Sequence, residues 1–197
     1  MLKLLRPAIV SVLVVTIFTC LIFPAVITAI AQTVFPHQAN GSLITRNGNV
    51  IGSALIGQNF AAPKYFHPRP SAAGSGYDAA NSGGTNLGPT SKKLIDGDKG
   101  FEGVKQLAAA YRKENNLPES TLLPSDAVTR SASGLDPQIS PANAALQAAR
   151  VASARGLSVD QVNQLIAQNT EGRQFGILGE PRVNVLQLNL ALDKTAR

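Results

Sequence analysis

The stretch AIVSVLVVTIFTCLIFPAVITAIA, residues 8–31, decides the class of this protein, because its 24 residues are predominantly apolar and none is charged. At about 1.5 Å of rise per residue, a helix of this length extends roughly 36 Å, enough to cross a hydrocarbon core of about 30 Å with some tilt. No Asp, Glu, Lys or Arg occurs from Pro7 to Thr45. We therefore predict a single N-terminal transmembrane helix.

The flanking residues predict how this segment is oriented. Lys3 and Arg6 precede it, and basic residues remain on the cytoplasmic side of a membrane. The N-terminus is then cytoplasmic and residues 32–197 lie outside, in the periplasm or at the cell exterior. A cleaved signal peptide is the alternative, since Ala29-Ile30-Ala31 matches a small-x-small cleavage site. The apolar run exceeds the roughly 7 to 15 residues of a signal core, which favours a retained anchor.

Composition excludes several classes of function. Of the 197 residues 44% are hydrophobic and 15% charged, too apolar for a disordered chain and too polar for a polytopic membrane protein. The formal net charge of +6 is weak support for a nucleic-acid partner. Cys20 is the single cysteine, so no intramolecular disulfide forms, and only His37 and His67 add nitrogen ligands. We expect neither nucleic-acid binding nor a resident metal.

Four polar or small residues recur at every fourth position of the apolar segment: Thr16, Cys20, Pro24 and Thr28. Small and hydroxyl side chains let transmembrane helices approach closely, and Pro24 deprives the Cys20 carbonyl of its helical N–H donor. The pattern predicts a membrane-packing face for another transmembrane helix. The alternative is a lone anchor, which tolerates threonine because the hydroxyl bonds to its own helix backbone.

Turn chemistry predicts a β-hairpin after the membrane segment. Two short apolar-rich runs, Leu43 to Arg46 and Val50 to Ile56, flank Asn47-Gly48, a dipeptide suited to a type I′ turn. Residues 60–91 follow as a long irregular segment that is rich in glycine and proline and has few aliphatic side chains. Segments of this kind are usually either functional or disordered.

Capping residues predict two helices in the second half of the chain. Ser140 is suited to an N-cap, Pro141 to the first helical position and Gly156 to the end of the same helix. Ser158 and Gln161 have the spacing of a capping box for a further helix that runs to about residue 169.

Two other stretches are less regular. Residues 92–116 have an apolar stripe of helical spacing in their second half, while three glycines weaken the first half and allow a break at Gly97, Gly100 and Gly103. The run VNVLQLNLAL, 183–192, alternates like a strand but has capping residues of a helix, and we favour the helix. The predicted fold class is α+β, with a cytoplasmic N-terminus (1–7), a transmembrane helix (8–31) and one extracytoplasmic globular domain (32–197).

Motifs of catalysis are absent from the sequence. It has no GxxxxGK[ST] phosphate loop and no G-x-S-x-G elbow. His67, between Phe66 and Pro68, reads as a packed or hydrogen-bonding loop residue rather than a general base. Asp193-Lys194-Thr195 is similar to the phosphorylated DKTG of P-type pumps, but Ala196 replaces the glycine, so we interpret the match as chance. No catalytic residue is predicted.

Five stretches, taken together and in this order behind one N-terminal anchor, resemble a single family, the C subunit of the Kdp potassium-transporting ATPase. They are GSALIGQNF (52–60), YFHPRPSAAGSGYDAANSGGTNLGPTS (65–91), SASGLDPQISP (131–141), ARVASARGL (149–157) and TEGRQFGILGEPRVNVLQLNLALD (170–193). The resemblance implies a bacterial inner-membrane complex. In it a channel-like A subunit admits potassium, a P-type B subunit hydrolyses ATP, a small F subunit lies alongside, and the C subunit assists without hydrolysing ATP.

The resemblance also implies a role as a catalytic chaperone that raises the ATP affinity of the pump subunit. A glutamine is the nucleotide contact described for the family, and Gln147 is the nearest candidate here. A bilayer between cytoplasmic ATP and an exterior domain argues against direct contact, whereas an allosteric effect through membrane helices avoids that objection. We expect no cofactor for chemistry in this chain, because ATP and potassium are handled by the complex.

The longest irregular stretches predict a partner interface that meets the potassium-admitting subunit. Aromatic residues and arginine are enriched in interface cores, and the predicted surface consists of Tyr65, Phe66, Arg69, Tyr77, Asp78, Ser131 and Asp136. The alternative is that the aromatic side chains pack inward and close the domain's own core. Two other functional classes also remain open at this point: a secreted enzyme and a secreted or membrane-tethered periplasmic ligand-binding domain.

Overall fold

The computed structural model describes residues 2–195, and contacts divide the chain into two compact units between Ile51 and Gly52. Predictions that fall on Met1, Ala196 and Arg197 lie outside the described residues. Each unit is built differently, because the first has almost no charged residue and the second has nearly all of them.

The first unit begins with a long apolar helix. Helix α1 covers Leu2–Thr16, a π-helical segment covers Ile17–Ile22, and α2 covers Phe23–Val34. Together they provide 32 continuous residues, Lys3–Val34, long and apolar enough to cross a membrane. The helix therefore extends past both ends of the predicted 8–31 segment.

A short helix and a hairpin follow the apolar helix. Helix α3 covers Pro36–Ala39, and strands β1 (Leu43–Arg46) and β2 (Asn49–Ser53) pair in a two-stranded sheet. Asn47 and Gly48 connect them with φ values of 52° and 79°, the positive dihedrals of a type I′ turn. The predicted hairpin is confirmed.

In the second unit, residues 54–91 contain neither helix nor strand, and short helices follow. Helix α4 covers Lys92–Asp96 and α5 covers Val104–Glu114, so the predicted 92–116 helix is broken. Gly97 ends α4 with φ of +76°, and a Cβ there would lie 2.7 Å from the carbonyl oxygen of Phe101. The break therefore needs glycine at this position.

The remaining elements pack the C-terminal part of the chain against the elements around residues 138–155. They are α6 (Ser125–Val128), β3 (Gln138–Ile139), α7 (Pro141–Arg155), α8 (Val159–Gln168), β4 (Thr170–Glu171), β5 (Arg182–Asn184) and α9 (Val185–Thr195). The short sheet has the order β3-β5-β4, and both pairings are antiparallel. Mixed helix and strand confirm the α+β character of the fold.

Local capping decides the ends of α7 and α8. The Ser140 hydroxyl accepts from the Asn143 N–H at 3.1 Å, and Gly156 ends α7 in the left-handed conformation. The Ser158 hydroxyl accepts from the Gln161 N–H, and the Gln161 side chain accepts in return from the Ser158 N–H. Both predicted helix starts are confirmed, because capping depends only on residues within one turn.

The core of the second unit lies between α7, α8, α9 and the short sheet. Its fully covered side chains come from every one of these elements and from one residue of the irregular segment: Ile139, Val151, Val162, Val183, Leu188, Leu192 and Phe66. The closing run that alternated in sequence is strand over Arg182–Asn184 and helix from Val185 onward, so the favoured helix is confirmed for most of its length.

Candidate functional site

One face of α7 is polar and yet buried. Asn143, Gln147 and Arg150 are spaced i, i+4, i+7, which places them on one side of a helix, and they are only 1%, 1% and 9% exposed. Buried polar groups are costly unless each finds a hydrogen-bond partner. This face and its hydrogen-bond partners form the main polar constellation among residues 52–195.

Gln147 holds the backbone of His67. Its Oε1 accepts from the His67 N–H at 2.8 Å, and its Nε2 donates to the His67 carbonyl at 3.1 Å. The same amide also accepts from Arg150 Nη2 at 2.8 Å and donates to Asn143 Oδ1 at 2.9 Å. All four hydrogen-bonding positions of the amide are therefore used within the chain.

Asn189 on α9 holds the neighbouring residue in the same way. Its Oδ1 accepts from the Phe66 N–H at 2.8 Å, and its Nδ2 donates to the Phe66 carbonyl at 2.9 Å. We call Gln147 and Asn189 the amide clamp. It satisfies the buried backbone of an extended segment that has no neighbouring strand, and it fixes Phe66 and His67 between α7 and α9.

Arg150 ties the start of the same segment to α7. Its Nη1 donates to the carbonyls of Pro63 at 2.6 Å and Tyr65 at 2.9 Å, while Nε donates to Asn115 Oδ1 at 3.0 Å. Burial lowers the pKa of the Arg150 guanidinium, and the nearby Glu114 carboxylate acts in the opposite direction. The side chain is thus a buried cation whose N–H groups donate to backbone carbonyls and to side-chain amides.

His67 and Glu114 border a shallow pocket of about 180 Å³ next to this constellation, together with Pro70 and Tyr111. His67 Nδ1 lies 2.8 Å from Glu114 Oε1, and Nε2 lies 3.2 Å from the Ala62 carbonyl. The hydrogen bond from His67 lowers the pKa of Glu114. Both ring nitrogens are engaged, which agrees with the interpretation of His67 as a hydrogen-bonding loop residue.

The beginning of α7 is held by an acidic residue of α6. Asp126 accepts from the Ser140 N–H at 2.7 Å, from the Ser140 hydroxyl at 2.9 Å and from Asn143 Nδ2 at 3.0 Å. Tyr111 adds a bond from its hydroxyl to Asn143 Oδ1 at 2.8 Å, and burial raises its pKa. A carboxylate at a helix N-terminus also interacts favourably with the helix dipole.

The two stretches predicted to form one surface, residues 65–91 and 131–136, are joined by hydrogen bonds. Arg69 Nη1 donates to Asp136 Oδ2 at 2.9 Å, the Ser71 hydroxyl donates to the Gly134 carbonyl at 2.7 Å, and the Gly83 N–H donates to the Ser133 carbonyl at 2.9 Å. Gly134 has φ of +69°, and a Cβ there would lie 2.7 Å from the Ala73 nitrogen. Residues 69–83 and 131–136 thus form one hydrogen-bonded loop layer.

Most of the predicted interface residues are held by bonds inside this layer. Phe66 is fully buried in the core and Ser131 is 5% exposed, so neither side chain lies at the surface of the described chain. The Tyr77 hydroxyl donates to the Arg69 carbonyl, and burial raises its pKa. For Phe66, the structure agrees with the alternative prediction, in which the aromatic side chain packs into the domain's own core.

Two further predicted interface residues lie nearer the surface. Asp78 accepts from Asn81 Nδ2 at 2.6 Å and from the Ala80 N–H at 2.9 Å, and the bond from Asn81 lowers its pKa. Tyr65 packs its ring 5.3 Å from that of Phe60 and under the guanidinium of Arg155. Both side chains are partly exposed.

Asp193, from the stretch similar to a P-type phosphorylation motif, is engaged in the same region. Its Oδ1 accepts from Arg155 Nη2 at 2.8 Å and its Oδ2 accepts from the Tyr65 hydroxyl at 3.3 Å. Arg155 also donates to the Lys64 carbonyl at 2.6 Å. The carboxylate therefore anchors the segment around Tyr65 to α7, a structural role that suits the interpretation of the motif as chance.

In the apolar helix, the four predicted membrane-packing residues all lie on continuous helix around the π-helical segment. A π-helix closes i→i+5 bonds, as from the Phe23 N–H to the Phe18 carbonyl, and so holds more residues per turn than 3.6. A step of four residues overshoots one turn of an α-helix but falls short of one turn of a π-helix. The π-helical segment, which contains Cys20, therefore acts against the drift of the row in this part of the helix.

The sequence did not predict three of the residues that make most of the buried side-chain hydrogen bonds. Asn143, Arg150 and Asn189 look like solvent-facing residues of amphipathic helices, and only their partners in the irregular segment make them buried. A signal was present in α7: Asn143, Gln147 and Arg150 each directly precede a residue of the core, Ala144, Ala148 and Val151, so the polar row adjoins the apolar face.

The architecture defines a class: a chain with one apolar helix of membrane-spanning length and a separate α+β unit whose polar interior clamps a long irregular segment. Among residues 2–195, no cluster of three His, Cys, Asp or Glu side chains is placed to hold a metal ion. The family described as "KdpC: K+-transporting ATPase, c chain" matches residues 5–194. The chain therefore belongs to the family of c chains of potassium-transporting ATPases.

Relatives from distant bacteria agree over nearly the whole chain. A potassium-transporting ATPase KdpC subunit of Mycobacterium tuberculosis (strain ATCC 25618 / H37Rv) is 57% identical over 190 residues, covering 96% of this chain and 97% of the relative. KdpC subunits of Koribacter versatilis (54% over 193 residues; 98% and 95%) and Burkholderia orbicola (58% over 191 residues; 96% and 95%) are similar to the same extent. The resemblance to this family is confirmed.

Proposed function

We propose that the chain is a non-hydrolysing accessory subunit of an ATP-driven potassium-uptake pump. The observation that carries the proposal is the family match over residues 5–194, which spans both the apolar helix and the second unit. The partners would be the channel-like A subunit, the ATP-hydrolysing B subunit and the small F subunit. The role is to assemble and stabilise that complex in the bacterial inner membrane.

The internal bonds of the polar constellation argue against a direct nucleotide contact at Gln147. Gln147, Asn189 and Arg150 spend their donors and acceptors on the backbone from Pro63 to His67. A direct nucleotide contact at Gln147 would require these bonds to break, at a cost of about 1–3 kcal/mol for each group left unpaired. An effect on the pump's ATP affinity is then allosteric: binding of this chain favours one conformation of the pump.

The decisive experiment is purification of the tagged full chain from its native membrane in mild detergent, with mass spectrometry of the N-terminus and of the bound proteins. An accessory subunit retains residues 8–31 and brings polytopic subunits with it. A secreted enzyme is cleaved after Ala31 and acts alone. A ligand-binding domain also lacks partners but is stabilised against unfolding by its ligand.

We predict that residues 32–197 lie outside the cytoplasm. A fluorescent reporter that matures only in the cytoplasm should stay dark when it is fused after Arg197, because Lys3 and Arg6 hold the other end of the helix inside. The same reporter fused before Met1 is the control and should fluoresce. Fluorescence from the C-terminal fusion would overturn the orientation and, with it, the objection to direct ATP contact.

We predict that the apolar helix is an assembly element. Replacing Thr16, Cys20, Pro24 and Thr28 together by leucine keeps the helix apolar but fills the surface of close approach. Membrane insertion should be unchanged, while the yield of co-purified subunits should fall about tenfold. Four leucine replacements of alanine or valine on other faces of the helix serve as the control. Equal yields from both variants would contradict the prediction.

We predict that residues 65–91 with 131–136, the stretches that contain the loop layer, meet the potassium-admitting subunit. Alanine is introduced separately at Tyr65, Arg69 and Tyr77, and both complex yield and thermal unfolding of the full chain are measured. Loss of yield with an unchanged melting temperature supports the interface at that residue. A lowered melting temperature with unchanged yield assigns the side chain to the layer's own packing, as the bond from Tyr77 to Arg69 favours for that residue.

A further inference from the structure

The dipeptide Asn-Gly occurs twice in the chain, at Asn40-Gly41 and at Asn47-Gly48, and both copies lie in the first unit. This dipeptide is chemically labile in water, because glycine has no side chain to shield its backbone nitrogen from the side-chain amide of the preceding asparagine. On sequence alone, the two asparagines would react at similar rates. The structure distinguishes them by the hydrogen bonds of their amides.

The side-chain amide of Asn40 is held by three hydrogen bonds. Its Nδ2 donates to the Pro36 carbonyl at 2.6 Å and to Gln32 Oε1 at 3.1 Å, and its Oδ1 accepts from Gln32 Nε2 at 3.4 Å. The Gly41 N–H, whose nitrogen would attack this amide, donates to the Gln38 carbonyl at 3.0 Å. Both reacting groups are therefore fixed by bonds that must break before the groups can meet.

Asn47 and Gly48 form the exposed turn between β1 and β2. Within residues 2–195, no side chain or backbone group forms a hydrogen bond with the Asn47 amide or with the Gly48 N–H. Neither reacting group of this second copy has to give up a protein partner. The nitrogen of Gly48 and the amide of Asn47 are both open to water.

The two segments also differ in how easily they open. Asn47 lies at the end of a two-stranded sheet, and such a hairpin is at most marginally stable in water, so its turn opens at a low free energy. The segment of Asn40 is folded more tightly, because the Ser42 N–H donates to the His37 carbonyl at 2.9 Å and Ser42 is only 6% exposed. Opening at Asn40 therefore disrupts further contacts, whereas opening at Asn47 does not.

We propose that Asn47 is a site of spontaneous deamidation and that the fold protects Asn40 from the same reaction. The Gly48 nitrogen bonds to Asn47 Cγ, the Cγ–Nδ2 bond breaks, and ammonia leaves with the proton of the Gly48 N–H. Water then adds to one of the two carbonyl groups of the five-membered succinimide, and the ring opens to aspartate or isoaspartate. Water is the co-reactant, and no oxidation or reduction takes place. This inference is independent of the proposed function.

The two products change the hairpin differently. Residues 1–51 contain three basic residues, Lys3, Arg6 and Arg46, and no acidic one, so either product adds the first carboxylate of this unit, next to Arg46. Aspartate is also suited to a type I′ turn and leaves the hairpin in place. Isoaspartate carries the backbone through Cβ and so lengthens the turn that sets the register of β1 and β2. That product therefore disrupts the pairing of the two strands.

The test is a time course of the full chain in mild detergent at mildly alkaline pH. Trypsin cleaves after Arg46 and so separates Asn40 from Asn47, and mass spectrometry of the two peptides measures the conversion of amide to acid and the fraction of isoaspartate. Asn47 should react at least about tenfold faster than Asn40, because one hydrogen bond that must first break changes a rate by about this factor. In a synthetic peptide of residues 36–51, the unfolded reference, the two rates should be similar.

Two variants provide matched controls. Gln32→Ala removes the amide that pairs with Asn40 and leaves the hairpin turn as it is, so it should speed the reaction of Asn40 and not that of Asn47. Asn47→Gln should abolish the reaction at this position, because the longer side chain would have to close a six-membered ring.

Three results would overturn the inference. Equal rates at Asn40 and Asn47 in the full chain mean that the hydrogen bonds do not protect Asn40. An Asn47 that stays intact while the peptide reacts means that the turn protects its own asparagine. An Asn40 rate that Gln32→Ala leaves unchanged means that the pair of amides is not the source of protection.

Discussion

Replacement of Arg150 by methionine should lower the free energy of unfolding by about 3–5 kcal/mol, the range seen when one partner of a buried ionic network is removed. The guanidinium satisfies the carbonyls of Pro63 and Tyr65 and the amides of Asn115 and Gln147. Methionine fills a similar volume but donates nothing, so these buried acceptors lose their partner. Domains have about 5–15 kcal/mol of stability, and the second unit should be close to unfolding.

The measurement is urea unfolding of the full chain in mild detergent, followed by near-ultraviolet circular dichroism. All three tyrosines, Tyr65, Tyr77 and Tyr111, lie in the second unit. The tyrosine band of the spectrum therefore reports on the unfolding of that unit and not on the apolar helix. Lys113→Met, which removes an exposed cation two residues before Asn115, is the control and should change the free energy by less than about 0.5 kcal/mol. A loss below about 1 kcal/mol in Arg150→Met would show that the network is not needed for stability.

Asn189→Leu should cost about 2–4 kcal/mol, although leucine is more apolar and of similar size. Asn189 is 1% exposed, and its amide is the partner of both the N–H and the carbonyl of Phe66. Leucine leaves two buried backbone groups unpaired, at about 1–3 kcal/mol each, and its own burial offsets only part of that cost.

A matched substitution separates this effect from a general response to leucine. Asn163 is exposed on α8, and Asn163→Leu should leave the unfolding midpoint within the error of the measurement. If Asn189→Leu instead unfolds at the same or higher urea concentration, the Phe66 backbone does not depend on the amide clamp. Because Asn189 and Gln147 hold adjacent residues, the combined loss in a double variant with Gln147→Leu should depart from the sum of the two single losses.

Features set by short-range chemistry could be predicted residue by residue. Asn47-Gly48 adopts the two positive φ values of its turn, and Ser140 and Ser158 start α7 and α8 as their side chains dictate. The same holds for the break at Gly97, which the sequence allowed and the structure contains. Each of these outcomes depends on at most one turn of neighbouring chain.

The long irregular segment could not be placed in the same way. Phe66 is predicted at an interface because aromatic residues of an irregular segment are typical of interface cores, yet it is buried in the core of the second unit. Its location depends on Asn189, 123 residues away, and on Gln147, 80 residues from His67. No local pattern reports such a pairing, since asparagine and glutamine on a helix are ordinarily solvated.

By itself the sequence determined the apolar helix, the hairpin, the capped helices and the family to which the chain belongs, because hydrophobicity, turn dihedrals and capping act over a few residues. Only the tertiary structure decided which polar residues are buried and which apolar ones stay exposed. Asn189 and Arg150 lie inside since the backbone of residues 63–67 has no strand to pair with and requires side-chain partners. Phe175 lies outside since the turn that closes residues 174–178 points it away from the core. Burial is a property of long-range packing, and a single residue's chemistry does not specify it.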